Sequence, residues 1–475
     1  MSRILYLCVA LCSGLTGLAQ SEQKEFWALN GAYAGYVWDN GQNNNQISNG
    51  SGNWTSGTKV WTINGGVSDI AWTSGAAAIF GGNPGIGAAG TVTITGTQTV
   101  SSLTFNPTPG GTFTLTSGTI TNTSGNIIAN DTAVISSTLG GSAGLTLSGN
   151  YPITLTSPTT YTGTTTINSG TLILSNGTAG TTTPTLTTPV VIASGGTLAA
   201  DILTENINIS GAISGAGTLS IANTGVQAQT LRLYGNNSGF TGNFSEPSTT
   251  RGMMWSDNVG TGNAANTGSA AAAWNLSGVF GMIETAGSAT PTVQLGSLSG
   301  TNTATAIGGF GGSGTKTFQV GALNTSTSFA GAIQDNPQGS GTPVIALSKT
   351  GTGTLTLSGT NTYSGSTTVS AGTLAFTTAI PSSNTWNIAV NATSTPTTAN
   401  SGLMTIPSTF SLIGKTINIV LTGSSTGFTY TAVSWSGTVT LGPALQLNGT
   451  PVTSGIASGG TTVTFVSGTG IKVSR

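Results

Sequence analysis

Apolar and polar positions alternate along most of the chain in short runs. Thr91-Val92-Thr93-Ile94-Thr95, Thr112-Phe113-Thr114-Leu115-Thr116 and Leu145-Thr146-Leu147 are examples. Period-two alternation places every second side chain on one face, the pattern of a half-buried strand. Gly, Asn, Ser and Thr punctuate the runs, as turn residues do. No apolar spacing of helical period extends beyond a couple of turns after the first twenty residues. The pattern predicts an all-β chain.

The runs also recur. Tyr161-Thr-Gly163-Thr-Thr-Thr166-Ile167-Asn-Ser-Gly170-Thr171-Leu172 matches Tyr363-Ser-Gly365-Ser-Thr-Thr368-Val369-Ser-Ala-Gly372-Thr373-Leu374. Upstream of the second copy stands Lys349-Thr-Gly351-Thr-Gly353-Thr354-Leu355-Thr-Leu357-Ser-Gly359. Gly144-Leu145-Thr-Leu147-Ser-Gly149 and Gly215-Ala-Gly217-Thr218-Leu219-Ser-Ile221 echo it, and Leu233 to Phe244 is a worn further copy. Each unit reads as short strands joined at Gly or Asn corners, residues that tolerate positive φ. Leu, Ile and Val point inward and Thr and Ser outward, so a single unit buries one side only and must stack on the next. Stacking predicts parallel ladders around an apolar column: a right-handed parallel β-helix, or a related β-solenoid.

The unit L-x-K-T-G-x-G-T-L-x-L-S-G-x-N-x-Y-x-G-x-T-x-V-x-x-G-T-L resembles the autotransporter-associated β-strand repeat. The resemblance is motif-specific over Leu347–Phe376 and Gly144–Leu174. It extends loosely to Val293–Gly300, Phe329–Asp335 and the Trp-rich start of the chain. It implies a bacterial passenger-type protein of the cell exterior. The last hundred or so residues hold too few alternating segments for a membrane barrel of the kind that ends an autotransporter. No sorting motif precedes Arg475. Release or non-covalent retention is therefore expected, and a passenger cut from a longer autotransporter is the variant of this reading.

Residues 1–19 have the form of a secretory signal. Arg3 supplies the basic end, Ile4–Cys12 the apolar stretch, and Gly17 and Ala19 the small residues ahead of cleavage before Gln20. No later run is long and apolar enough for a spanning helix. Residues 20–90 form a Trp-rich capping section, 91–380 the solenoid with an irregular insert near 246–290, and 381–475 a C-terminal β section. Both cysteines, Cys8 and Cys12, fall inside the signal. The expected mature chain has neither Cys nor His, hence no disulfide and no soft-metal site.

Composition narrows the function. Charged residues are 4% of the 475, with a net charge of −1, no His and 73 Gly. No catalytic imidazole exists, and no basic face for nucleic acid or anionic lipid. Gly85-Ile-Gly87-Ala-Ala-Gly90 fits a dinucleotide fingerprint but precedes a strand rather than a helix. Gly140-Gly-Ser142-Ala-Gly144 fits a nucleophile elbow that has no His partner. Gly414-Lys415-Thr416 mimics the end of a phosphate loop without its first Gly. No cofactor is expected.

Three groups of residues remain. Asp201 with Glu205, and Glu246 with Asp257 beside Arg251, are the candidates for two-carboxylate sugar chemistry. Their ordinary reading is solvated corners. Asn40–Asn49 offers oxygens for calcium, but only Asp39 adds a carboxylate, which favours a polar loop. Five of nine Trp fall between residues 27 and 72. Trp38, Trp54, Trp61 and Trp72 are the candidate carbohydrate-binding residues, as a platform for flat sugar faces. Beside that stands a capping role, favoured because a solenoid end must cover its strand edges and aromatics do so with few residues. The reading that results is a secreted or cell-surface, non-enzymatic β-solenoid with a structural or adhesive role. Its partners would be polysaccharide, surfaces or sibling chains. The alternative is a carbohydrate-active β-helix enzyme, a lyase or a hydrolase.

Overall fold

In the computed structural model, the described residues are 35–40, 46–63, 65–82, 85–176, 183–224, 229–246, 252–256, 268–278, 280–284, 290–378, 381, 385–392, 396–406, 409–412, 415–423, 425–435, 438–440, 444–452, 461–466 and 470–475. The expected signal lies outside them. The described elements are all strands, most of them paired in parallel. No described helix is long and apolar enough to cross a membrane. The chain divides into two compact units, residues 1–174 and 175–475.

The first unit shows how the sequence pattern becomes structure. Strand Phe113–Ala129 has straight parts separated by shifts in register. Phe113–Thr116 pairs in parallel with Ala133–Ser136, Thr119–Thr121 with Thr138–Gly140, and Asn126–Ala129 with Thr146–Gly149. Each part therefore lies on its own ladder, with the next winding of chain stacked against it. Val92, Leu115, Ile135, Leu155 and Leu174 stand in one column of register partners, and all are buried. The alternating residues Thr91, Thr114, Val134 and Thr154 form the column facing outward. In-register stacking puts like beside like, so one period-two pattern serves every rung.

The unit opens differently. Tyr36–Trp38 pairs antiparallel with Lys59–Thr62, which pairs antiparallel with Ile70–Ala71. Parallel pairing starts here too: Tyr36–Trp38 with Ala77–Phe80, that strand with Thr97–Phe105, and separately Gly52–Trp54 with Thr91–Ile94. No break in pairing marks residue 90.

The second unit repeats the arrangement. One ladder runs Ile207–Ile209, Leu231–Leu233, Gly252–Ser256, Phe280–Glu284, Ala306–Phe310 and Ala332–Gln334. Another runs Thr327–Phe329, Thr354–Leu357, Gly372–Phe376, Gly402–Thr405 and Thr429–Ser434, stacking Phe329 on Leu357 on Phe376. Thr429–Ser434 is then met antiparallel by Gly470–Ser474, itself antiparallel to Thr462–Val466. Thr367–Val369 pairs in parallel with Thr385–Asn391.

The expected irregular insert is corrected for its described part. Gly252–Ser256, Gly268–Leu276 and Phe280–Glu284 are ladder strands in parallel register. Met253, Met254, Trp255 and Trp274 are buried. Gly252–Ser256 is buried at all five positions, so alternation has no reason to appear there.

The two repeat copies share an internal bond. The hydroxyls of Tyr161 and Thr165 lie 2.7 Å apart, and those of Tyr363 and Thr367 lie 2.8 Å apart. All four residues are buried. Burial pushes the Tyr161 phenol up to about 12, against the opposing bonds from Thr165 and Thr159. Tyr363→Phe is expected to lower stability by roughly 1–3 kcal/mol, because it strands a buried Thr hydroxyl. A double-mutant cycle with Thr367→Val, read by urea unfolding, should recover part of that loss.

Candidate functional site

The Trp residues come together, but inside the protein. Trp54 and Trp61 have ring centroids 4.8 Å apart, Trp54 and Trp72 4.9 Å, Trp61 and Trp72 4.8 Å, and Trp38 and Trp61 5.4 Å. Most of these contacts are edge-to-face, the arrangement favoured by ring quadrupoles. Phe80 packs against Trp38, Trp54 and Trp61 and stacks on Phe105 at 5.4 Å. Trp38, Trp54 and Trp61 are 0% exposed and Trp72 is 6%. The Trp38 indole N–H donates to Gly50 O at 3.1 Å. A sugar stacks on an open ring face, and these four present none. The platform expectation for Trp38, Trp54, Trp61 and Trp72 is therefore corrected: all four are turned inward, where they build the core of the antiparallel opening.

The candidate acids are held one by one. Asp201 Oδ2 accepts from Ser175 Oγ at 2.6 Å, and Glu205 Oε2 accepts from Thr183 Oγ1 at 2.9 Å. Asn176 ties this corner together, accepting at Oδ1 from the backbone N–H of Leu203 and Thr204. Glu246 is 1% exposed, and its Oε2 accepts the Gly278 N–H at 2.9 Å. Burial pushes this carboxyl up to about 8, with the Gly278 bond opposing the rise. Enclosed in this way, it offers no open face to a sugar chain. Arg251 and Asp257 lie outside the described residues. Among the described residues no group of three or more acidic, His or Cys side chains could hold a metal ion.

Two features carry no local signal in the sequence. Lys349, in the repeat's Lys-Thr-Gly step, is 1% exposed and donates to Thr350 O at 2.5 Å, Gly351 O at 2.8 Å and Ala371 O at 3.3 Å. Burial brings its ammonium down to about 8. Lys316, 0% exposed, likewise donates to Gly311 O at 2.8 Å and Phe310 O at 3.1 Å. These cations satisfy carbonyls at strand corners, where no ladder partner reaches. The second feature is the burial of two acids, Asp39 and Asp69, next to the strands that flank Lys59–Thr62. Asp39 Oδ1 accepts the Ser48 N–H at 2.6 Å.

Comparison with known proteins fits the ladder description. The Passenger-associated-transport-repeat family matches residues 140–174 and 347–376. The chain carries two matches to that repeat and is similar to autotransporter passenger repeat proteins. It is similar to the adhesin BmaC autotransporter of Brucella suis biovar 1 (strain 1330). The two are 35% identical over 139 residues, which is 27% of this chain and 4% of the adhesin. The chain thus spans a small fraction of that relative's length. No solved structure matches.

Proposed function

We propose that this chain is a β-solenoid passenger of the bacterial cell exterior with a non-enzymatic, adhesive or structural role. The observation that carries the reading is the coincidence of the matched repeats with in-register parallel ladders. The adhesin relative supports an adhesive role, and the closed surroundings of Glu246 favour binding over catalysis. With the tryptophans inside, contact with a polysaccharide falls to the outward Thr and Ser columns. These carry hydroxyl donors and acceptors at a fixed ladder spacing of about 4.8 Å.

Co-sedimentation of residues 20–475 with a panel of insoluble polysaccharides tests this. Binding to a neutral glycan is expected, with at least a tenfold loss in a Thr114→Lys, Thr154→Lys double variant that keeps its β circular dichroism. These two residues lie in one outward column. Failure of the folded parent to bind across the panel would sink the glycan reading and leave the structural one. Cleavage of any glycan in the panel would overturn the non-enzymatic reading.

A further inference from the structure

Tyr151 is the most exposed aromatic side chain among the described residues, at 46%. It stands in the short turn between strand Leu145–Gly149 and strand Pro152–Leu155. A row of asparagines leads up to it. Asn106, Asn130 and Asn150 each follow directly on a strand end, at Phe105, Ala129 and Gly149, and those three ends are register partners. The backbone carries the ladder one residue further. Asn130 N–H donates to Phe105 O at 2.9 Å and Asn150 N–H to Ala129 O at 3.0 Å. The side chains stack as well, with Asn130 Nδ2 donating to Asn106 Oδ1 at 3.0 Å. Asn130 and Asn150 are exposed. A primary amide can make more hydrogen bonds than this one, so the row keeps donors and acceptors for a ligand. Two residues before each asparagine lies an outward position, in the column Thr104, Ile128 and Ser148. Beyond the turn, Thr154 belongs to the outward column of Thr114 and Val134. Tyr151 therefore stands at the corner between two outward faces.

An open aromatic ring beside amides at ladder spacing, about 4.8 Å apart, suits a sugar. A sugar ring shows C–H groups on its faces and hydroxyls around its rim, and the two kinds of side chain match the two parts. Charge narrows the class. Asp39, Lys59, Asp69 and Asp131 are the charged side chains of residues 35–174. Asp131 is next to Asn130, and its Oδ1 accepts the Thr132 N–H at 2.8 Å. A uronate or a sulfate would meet that carboxylate and find no cation on the windings from residue 91 to 174. We propose that Tyr151 and the row Asn106, Asn130 and Asn150 form a binding site for a neutral polysaccharide, the ring packing on a sugar face and the amides bonding its hydroxyls. The site rests on the adhesive reading above and gives it a location, at the edge of the Thr154 column.

Co-sedimentation of residues 20–475 tests the site, with cellulose, chitin, insoluble mannan and raw starch as neutral polysaccharides and calcium pectate as an anionic one. At least one neutral polysaccharide should carry the parent down. Tyr151→Ala should weaken that binding by roughly tenfold, the loss of an anchoring aromatic. Asn130→Ala should weaken it severalfold, and Tyr151→Phe, which keeps the ring, should bind nearly as the parent does. Both positions are exposed, so the urea midpoints of these variants should match the parent's. Nitration of Tyr151 by tetranitromethane, read by mass spectrometry on its own peptide, should slow severalfold when that polysaccharide is bound. A parent that binds while Tyr151→Ala binds equally, or while Tyr151 is nitrated as fast as in the free protein, would overturn this site and leave the glycan reading standing. A folded parent that binds none of the panel would overturn both. Calcium pectate bound better than every neutral polysaccharide would overturn the neutral class.

Discussion

Gly372→Ala is expected to destabilise the second unit by roughly 2–5 kcal/mol, a large loss for one methyl group. Gly372 has φ +67 and sits where the repeat turns from its Val369 strand to its Leu374 strand. A Cβ there would press into the carbonyl oxygens of Gly351 and Gly353 and stand 2.8 Å from Thr352 C. The obstacle is backbone of the neighbouring winding, which cannot swing aside. Two controls separate the components. Gly170, the equivalent corner in the first copy, has φ +74, and its Cβ would lie 2.9 Å from Gly149 O and 3.0 Å from Tyr151 O. Its alanine variant should cost less. Gly75 has φ +85 with nothing within 4 Å, so Gly75→Ala should show the backbone penalty alone, about 1–2 kcal/mol. The order Gly372, Gly170, Gly75 in urea midpoints is the expected outcome; equal losses at all three would refute the steric part.

Trp54→Ala should cost about 3–5 kcal/mol, the usual range for emptying a buried aromatic site. Trp54 touches Trp61, Trp72 and Phe80, so the cavity opens at the centre of the cluster. Its indole N–H has no hydrogen-bond partner, and Trp54→Phe should therefore lose much less. Near-UV circular dichroism and urea unfolding of the two variants check this. If Trp54→Ala kept the parent's stability and near-UV signal, the interior placement would be wrong. Alanine substitutions at Trp38, Trp54 and Trp61 thus report on folding before they report on any ligand.

Much of the ladder architecture was legible in the sequence because alternation and repetition are local. Leu355 and Leu357, or Leu145 and Leu147, announce a buried face within three residues. Gly170 and Gly372 announce their corner by position in the repeat. The direction faced by the tryptophans was not legible: the same residues on the same strands would serve an outer platform or an inner cluster. Gly252–Ser256 was misread because a strand covered on both faces loses its period. The burial of isolated acids was invisible for a different reason. Asp39 and Asp69 are buried next to the two strands that flank Lys59–Thr62, and neither has a neighbouring residue that signals it. Lys349 looked like a motif letter until its three carbonyl acceptors were seen.

The antiparallel strands at the ladder margins have a colloidal consequence. A parallel ladder that simply stopped would offer its last strand as a template for the first strand of another copy, and the joint could repeat without closing. Most proteins discourage such growth partly through mutual charge repulsion, but a net charge of −1 over 475 residues supplies almost none. Where Gly470–Ser474 turns back along Thr429–Ser434, and Lys59–Thr62 along Tyr36–Trp38, the hydrogen-bond spacing changes from the even slant of parallel pairing to the alternating pairs of the antiparallel kind. A parallel strand of another copy meets a different hydrogen-bond spacing at these strands from the one the parallel ladders offer.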